Sequence, residues 1–277
     1  MKVWFITGCS SGLGRGIADA VLSRGGCAVV TARDSERVRH FESEYPGRAL
    51  ALPLDLADAD TAKAALQSAY EKFGHIDVLV NNAGHGYRAA IEESEPDKVR
   101  QLFEEVFFAP MDIARMVLPR MREQGGGLII NVTSIGAVRG ALGNGYYSAA
   151  KGALELASEA MQKEAEPFGI RVMLVEPGAM RTGFFDGRMQ GTETKISAYD
   201  GIAASYRKEL INNRHDQNSD PAKCGEVIVS AALSDDPPFR LLLGSDAVGQ
   251  AETVLENRLA ELRRWKEKSV STDFERS

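Results

Sequence analysis

Residues 3–14 read VWFITGCSSGLG, an apolar run followed at once by a glycine-rich turn. The run predicts a buried strand, and Leu13 to Ser23, with apolar residues at helical spacing, predicts the helix that follows it. Glycine clusters also occur in ordinary tight turns, but this one lies between a predicted strand and a predicted helix. There, backbone N–H groups and the helix N-terminus can bind a diphosphate. The segment therefore predicts a dinucleotide site.

The rest of the chain repeats this alternation of short apolar runs and longer helical patterns, which indicates a parallel sheet covered on both faces. No Pro/Ser-rich linker divides the 277 residues. We therefore expect α/β architecture over 1–277, a single Rossmann-type domain with a doubly wound parallel sheet of about seven strands. The predicted strands are Val3–Ile6, Ala28–Thr31, Ala49–Leu52, Val78–Val80, Leu128–Val132, Val172–Val175 and Leu241–Leu243.

Two segments depart from the sheet rhythm. Residues 183–220 are polar and contain several glycines, which predicts a lid-like, mobile excursion. Residues 248–267 predict a C-terminal helix. Its apolar positions favour a packing stripe over the alternative, a helix that binds a partner: Leu255, Leu259, Leu262 and Trp265.

Composition narrows the function classes. The formal net charge of −6 argues against nucleic acid as a partner, because phosphate binding requires a basic surface. No apolar stretch approaches the ~20 residues that cross a bilayer, and no secretion signal is evident. Three cysteines and four histidines follow no metal-ligand spacing. We expect a cytoplasmic protein without metal, membrane or nucleic-acid partners.

The spacing Thr-Gly-x-x-x-Gly-x-Gly at residues 7–14 resembles the short-chain dehydrogenase/reductase family, including its carbonyl reductases and hydroxysteroid dehydrogenases. Asn81-Asn82-Ala83-Gly84, Asp55-Leu56 and Pro177-Gly178 with Thr182 are similar to further family motifs in the same order. The resemblance implies an NAD(P)-dependent oxidoreductase acting on CH–OH and C=O groups. It also implies these cofactor contacts: Gly8, Ser10, Ser11, Gly12, Leu13, Gly14, Arg33, Asp55, Leu56, Asn82, Ala83, Gly84, Tyr147, Lys151, Pro177, Gly178 and Thr182.

Tyr147 and Lys151 lie four residues apart in a helical segment and therefore on one helical face. A nearby ammonium favours the phenolate, so we expect Lys151 to lower the tyrosine pKa from its usual value of about 10. Ser134 ends a predicted strand upstream. The family resemblance implies that Tyr147 exchanges the proton, Ser134 holds the substrate oxygen, and Lys151 steadies the tyrosine and the ribose.

Val106 stands where many family members have an asparagine that holds a water in a proton relay. Valine cannot donate or accept a hydrogen bond through its side chain. The relay takes another route, the alignment is displaced, or proton transfer is impaired. The last possibility leaves open a second class of function, a catalytically weak dinucleotide-binding protein with a regulatory or interaction role.

The residues at the end of the second strand indicate which cofactor is preferred, NADP(H) or NAD(H). Ala32 occupies the position where NAD-preferring relatives carry Asp, and Arg33 follows. A guanidinium suits a 2′-phosphate, so NADP(H) is favoured and NAD(H) remains possible, with Asp34 weakening the positive field.

We expect a substrate pocket made of mostly apolar or aromatic residues: His85, Ile135, Tyr146, Phe184 and Phe185. This favours a medium to large apolar ketone or secondary alcohol over sugars and small charged acids. Tyr146 is a pocket or packing residue, and a lone loop histidine such as His85 is more often solvated. The resemblance further implies a homodimer or homotetramer formed through residues 102–121 and 147–164.

Overall fold

The computed structural model describes residues 1–211 and 216–274, without the side chains of residues 185 and 186. Seven parallel strands form the main sheet, in the order β3-β2-β1-β4-β6-β7-β9, and β5 pairs with β8 outside it. The strands are β1 Val3–Ile6, β2 Cys27–Ala32, β3 Ala49–Pro53, β4 Val78–Asn81, β5 Gly86–Arg88, β6 Gly127–Val132, β7 Ile170–Pro177, β8 Met189–Gly191 and β9 Arg240–Leu243.

Helices cover both faces of this sheet, as expected for parallel strands joined by crossovers. The α-helices are α1 Gly12–Ser23, α2 His40–Glu44, α3 Ala59–Phe73, α4 Pro96–Phe103, α5 Ala109–Glu123, α6 Ile135–Val138, α7 Gly145–Ala165, α8 Asp200–Ala203, α9 Pro221–Ala232 and α10 Ser245–Val270. The turn between α4 and α5, Glu104–Phe108, is π-helical. The expected fold class and all seven predicted strands are confirmed, with β1 at its predicted bounds.

Side chains alternate along the strands and separate the core into two layers. Trp4 and Ile6 of β1 pack with α1 and α9, whereas Phe5 packs with the layer that includes α3, α5 and α7. Helices α1 and α9 meet closely because Gly16 has no side chain: a Cβ there would lie 2.4 Å from the carbonyl oxygen of Pro221. This contact places the N-terminal end of α1 firmly over the sheet.

The excursion at residues 183–220 contains short helical turns and the small strand β8, which the sequence did not predict. Strand β8 pairs in parallel with β5. Glu93, fully buried, forms an ion pair with Arg207 and accepts a hydrogen bond from Tyr206 Oη at 2.9 Å. The described part of the excursion is therefore attached to the body of the domain by a polar, buried contact.

The apolar stripe of α10 is not a packing stripe. Leu255 and Leu262 are 56% and 61% exposed, and Leu259 and Trp265 are also exposed. Helix α10 is buried only at its start, through Ala247 and Ala251 among the described residues. The prediction was wrong because helical spacing identifies an apolar face without showing whether anything covers it.

Candidate active site

A cavity of about 350 Å³ opens at the carboxyl ends of the strands, next to the β1–β4 pair where the strand order reverses. This is where open α/β sheets bind their ligands. Most of the predicted site residues line it: Ser11, Gly12, Leu13, Gly14, Asn82, Gly84, His85, Ser134, Ile135, Tyr147, Lys151, Pro177, Gly178, Thr182 and Phe184.

The segment after β4 fixes the glycine-rich loop through hydrogen bonds. Asn82 donates its side-chain amide to the carbonyl oxygens of Thr7 and Gly8 at 2.8 and 3.2 Å. Thr7 Oγ1 accepts the backbone N–H groups of Asn82 and Ala83, both at 2.9 Å. Gly8 and Gly12 have φ of +76° and +60°, a conformation that favours glycine.

The shape of this loop fits a diphosphate. A Cβ at Gly14 would lie 2.4 Å from Gly8 O and from the side-chain nitrogen of Asn82, so only glycine permits the close turn. The N-terminal end of α1 lies in the same loop and contributes its positive dipole end. The residues present therefore fit the phosphate groups of a nicotinamide dinucleotide.

Ser134, Tyr147 and Lys151 all line the cavity. Ser134 ends the β6 segment and caps α6, accepting the Gly136 N–H at 3.0 Å. Lys151 Nζ donates to the carbonyl oxygen of Val132 at 2.7 Å and lies 6.0 Å from the centroid of the Tyr147 ring. The strand end and the first turns of α7 thus place all three side chains at one wall.

The electrostatics of Tyr147 differ from the prediction. Burial raises the pKa of Tyr147 above its usual value of 10, while a hydrogen bond from Ser134 and the positive charge of Arg88 act in the opposite direction. Burial also lowers the pKa of Lys151 to about 8, and the nearby carboxylate of Glu155 opposes that shift. The expected lowering of the Tyr147 pKa by Lys151 is not among the effects on this group, and the Lys151 ammonium donates to the backbone carbonyl of Val132.

Arginines lie near the glycine-rich loop, and the sequence analysis did not identify one of them, Arg188. Arg188, from the excursion, donates through Nη2 to Ser10 Oγ at 3.0 Å. Its pKa is lowered, first by burial and then by repulsion from Arg33 and Arg37. Arg33 itself is exposed at the end of β2. Positive charges therefore gather beside the glycine-rich loop without any sequence spacing that reveals Arg188.

Some predicted residues lie outside the cavity wall. Gly8, Ser10 and Ala83 support or flank the loop, while Asp55 and Leu56 follow β3. The Asp55 carboxylate accepts the Ala57 N–H at 3.1 Å. Tyr146 packs against a cluster that includes Tyr87 and Val106, which makes it a packing residue. The side chain of Phe185 lies outside the described residues.

His85 is not a solvated loop residue, contrary to the sequence-based expectation. It is only 7% exposed, and its Nδ1 lies 2.9 Å from Glu105 Oε2. Its Nε2 is buried without a hydrogen-bond partner among the described residues. The hydrogen bond to His85 lowers the pKa of Glu105. No sequence spacing links the two residues, because they meet only when the turn before α5 packs against the loop after β4.

Val106 is fully buried in the π-helical turn, and its Cγ2 would lie 3.7 Å from a Cβ at Gly84. Val106 therefore lies beside the cavity-lining loop after β4. Its neighbour Glu105 supplies a polar group there instead.

Among the described residues, no cluster of His, Cys, Asp or Glu is arranged to bind a metal ion. Within those same ranges, no helix has both the length and the apolar character needed to span a bilayer.

Comparison with known proteins defines the class to which this fold and site belong. The family model for short chain dehydrogenases matches residues 2–192, so the chain belongs to the short-chain dehydrogenase family. It is accordingly an NAD(P)-dependent oxidoreductase that acts on CH–OH and C=O groups.

Among its relatives, the oxidoreductase BOA17 of Botryotinia fuckeliana is 34% identical, over 98% of this chain and 99% of its own. A short-chain dehydrogenase from Streptomyces avermitilis is structurally similar at a TM-score of 0.90 and 39% identity, covering 99% and 100% of the two chains. An alcohol dehydrogenase from Thermococcus sibiricus, complexed with 5-hydroxy-NADP, aligns at a TM-score of 0.72 and 25% identity, covering 88% and 96%.

Proposed function

We propose that the protein is an NADPH-preferring reductase that interconverts a ketone and its secondary alcohol, with Tyr147 as the acid/base. The observation that carries the proposal is the meeting of Ser134, Tyr147 and Lys151 at one wall of the cavity, beside a loop shaped for a diphosphate. A protein that only bound the dinucleotide would have no need of this arrangement.

The geometry supports a division of roles during reduction. When bound, the nicotinamide supplies the hydride. Tyr147, whose pKa burial raises above its usual value, carries its proton at neutral pH and can give it to the oxygen of the substrate. Ser134 hydrogen-bonds that oxygen as negative charge develops. Lys151, anchored on the Val132 carbonyl, holds a positive charge beneath the tyrosine.

The replacement of Tyr147 by Phe tests the chemistry. Removing the hydroxyl should decrease turnover by a factor of at least about 100, the lower end of what a positioned acid contributes, with cofactor affinity nearly unchanged. NADPH oxidation at 340 nm and cofactor titration by fluorescence measure the two effects. Tyr146→Phe is the matched control, because Tyr146 is not among the residues that line the cavity. Near-normal turnover of Tyr147→Phe would exclude Tyr147 as the acid and favour the binding-module alternative.

The preference for NADPH is supported by Arg33 and Arg188 near the loop. The residue before Arg33, at the end of β2, is Ala32 and not an acidic residue. We expect Arg33→Ala to raise the KM for NADPH by about tenfold and to leave the KM for NADH within about twofold, since a charge-assisted contact to phosphate is lost. Arg24→Ala, at a distant surface ion pair, is the control. Equal effects on both cofactors would reject this role.

The substrate that we propose is a medium to large ketone with an apolar portion, since Ile135, Phe184 and Met189 line the cavity.

We further propose a homodimer or homotetramer formed through α4, α5 and α7, supported by the exposed apolar side chains of Phe108 and Leu156. Light scattering of the purified protein measures the mass. A cytoplasmic location is also proposed, supported by three unpaired, buried cysteines.

A further inference from the structure

Two arginines lie in the substrate end of the cavity and have no role in the proposed chemistry. Arg88 ends β5, and Arg139 follows α6; both line the cavity together with Ser134 and Tyr147. Arg88 is close enough to Tyr147 for its charge to oppose the rise in the tyrosine pKa. The two guanidiniums are also close enough to repel each other, which helps to lower the pKa of Arg88.

These charges are not neutralised by the described part of the chain. Arg88 Nε is buried without a hydrogen-bond partner, and no described carboxylate forms an ion pair with Arg88. Arg139 Nε donates to Gln250 Oε1 at 2.6 Å, a neutral amide of α10 that orients the guanidinium without balancing its charge. Partly desolvated cations side by side are costly unless an anion compensates them.

The distribution of charge around the cavity separates this pair from the cofactor site. Arg188 lies at the glycine-rich loop, where the phosphates fit. Arg88 lies close enough to Tyr147 to act on its charge, and the backbone carbonyl of Arg139 accepts a hydrogen bond from Ser148, the residue after Tyr147, at 3.3 Å. Among the described residues that line the cavity, Asp246 is the one carboxylate, and it accepts the Ala179 N–H at 2.8 Å instead of pairing with either arginine.

We propose that Arg88 and Arg139 form a subsite for a carboxylate on the substrate, so that the preferred substrate is a keto acid with an apolar body. A guanidinium binds a carboxylate through paired, charge-assisted hydrogen bonds, and two of them would fix the carbonyl group relative to Tyr147. This inference rests on the proposed reductase function and specifies its substrate class. It also revises the sequence-based expectation, which favoured an apolar ketone over small charged acids.

Binding and turnover of matched acids and esters test the subsite. The probes are benzoylformate and 3-benzoylpropanoate, which differ in the distance from ketone to carboxylate, together with their methyl esters. Dissociation constants are measured by calorimetry on the protein saturated with NADP⁺, and KM and kcat by NADPH oxidation. For at least one acid, we expect binding about tenfold or more tighter than for its ester, as one charged hydrogen bond provides.

Variants then assign the preference to the two arginines. Arg88→Gln and Arg139→Gln should each reduce the acid-to-ester affinity ratio by about tenfold, because glutamine keeps hydrogen bonding and removes the charge. Arg100→Gln, an exposed arginine paired with Asp97 on α4, should leave the ratio unchanged. Equal binding of acids and esters by the wild-type protein would overturn the subsite. Equal weakening of both by Arg88→Gln would overturn it too, and would show that Arg88 acts on Tyr147 alone.

The two proposals fail in different ways. If the wild-type protein reduces the esters but shows no preference for the acids, the reductase function stands and the carboxylate subsite is rejected. If it binds the acids preferentially but reduces neither set, the subsite stands and the proposed reaction is rejected.

Discussion

At the scale of single residues, the cavity combines side chains whose charge is set by burial. Tyr147 and Lys151 shift in the directions that burial imposes, towards the neutral form in each case. Thr7 instead stabilises the glycine-rich loop through hydrogen bonds. Its Oγ1 accepts two backbone N–H groups at 2.9 Å and donates to Val80 O at 3.3 Å. Each of these effects depends on neighbours that are distant along the chain.

The pH dependence of reduction should therefore reflect Lys151. Its pKa of about 8 means that the ammonium is lost as the pH rises through 8, while Tyr147, with a pKa raised above 10, stays protonated there. We expect kcat with NADPH to fall above pH about 8. Lys151→Arg should move this fall to higher pH because a guanidinium stays charged.

The exposed Lys163→Arg on the same helix is the control and should leave the pH profile unchanged. A fall in kcat that stays at the same pH in Lys151→Arg would assign the titration to another group.

At the scale of elements, the excursion at residues 183–220 is joined to the loop before α4 by Glu93. This carboxylate accepts hydrogen bonds from Tyr206 Oη and Ile196 N and pairs with Arg207. These contacts lower the pKa of Glu93 to about 2, against the cost of its burial. Because its pKa is depressed in the folded state, its stabilising effect is present above the ordinary value of 4.5 and is lost as the pH falls from there towards 2.

Glu93→Gln should accordingly loosen the excursion more than the rest of the domain. Breaking a buried ion pair leaves an uncompensated charge and costs about 3–5 kcal/mol. We expect faster amide hydrogen exchange in residues 196–207, with β1 and β4 nearly unchanged.

Glu92→Gln is the matched neighbour, because the hydrogen bond between Glu92 and Tyr199 Oη is exposed to solvent. If the Glu93 and Glu92 variants exchange alike, the buried pair does not hold the excursion.

At the scale of the whole molecule, α10 extends beyond the body of the domain. Its residues from Leu255 onward are exposed, including the apolar stripe, although Arg258 Nη2 still donates to Val138 O at 2.6 Å. The cavity uses only the beginning of this helix, through Asp246 and Gln250. The cavity and the outer half of α10 are therefore structurally separate.

Ending the chain after Leu259 should leave the protein folded and active. Residues 260–274, the described part of the removed segment, contain no buried side chain, so we expect the midpoint of thermal unfolding to change by less than about 2 °C, which for a domain of this size is under ~1 kcal/mol. The mass by light scattering should also stay the same, because association is proposed through α4, α5 and α7. A smaller mass together with a lower midpoint would instead identify the apolar stripe of α10 as an interface between copies.

The amino-acid sequence by itself determined the sheet, the glycine-rich loop and the shared helical face of Tyr147 and Lys151, because local periodicity and fixed spacings encode strands, turns and one face of a helix. The role of Ser134 beside them was implied by the family resemblance. Tertiary structure alone decided the charges around the cavity. Arg88, Arg139 and Arg188 belong to no common motif and line the same cavity only after the chain folds. The exposure of the α10 stripe was likewise beyond the sequence, because periodicity reports which face of a helix is apolar and packing decides whether that face is covered.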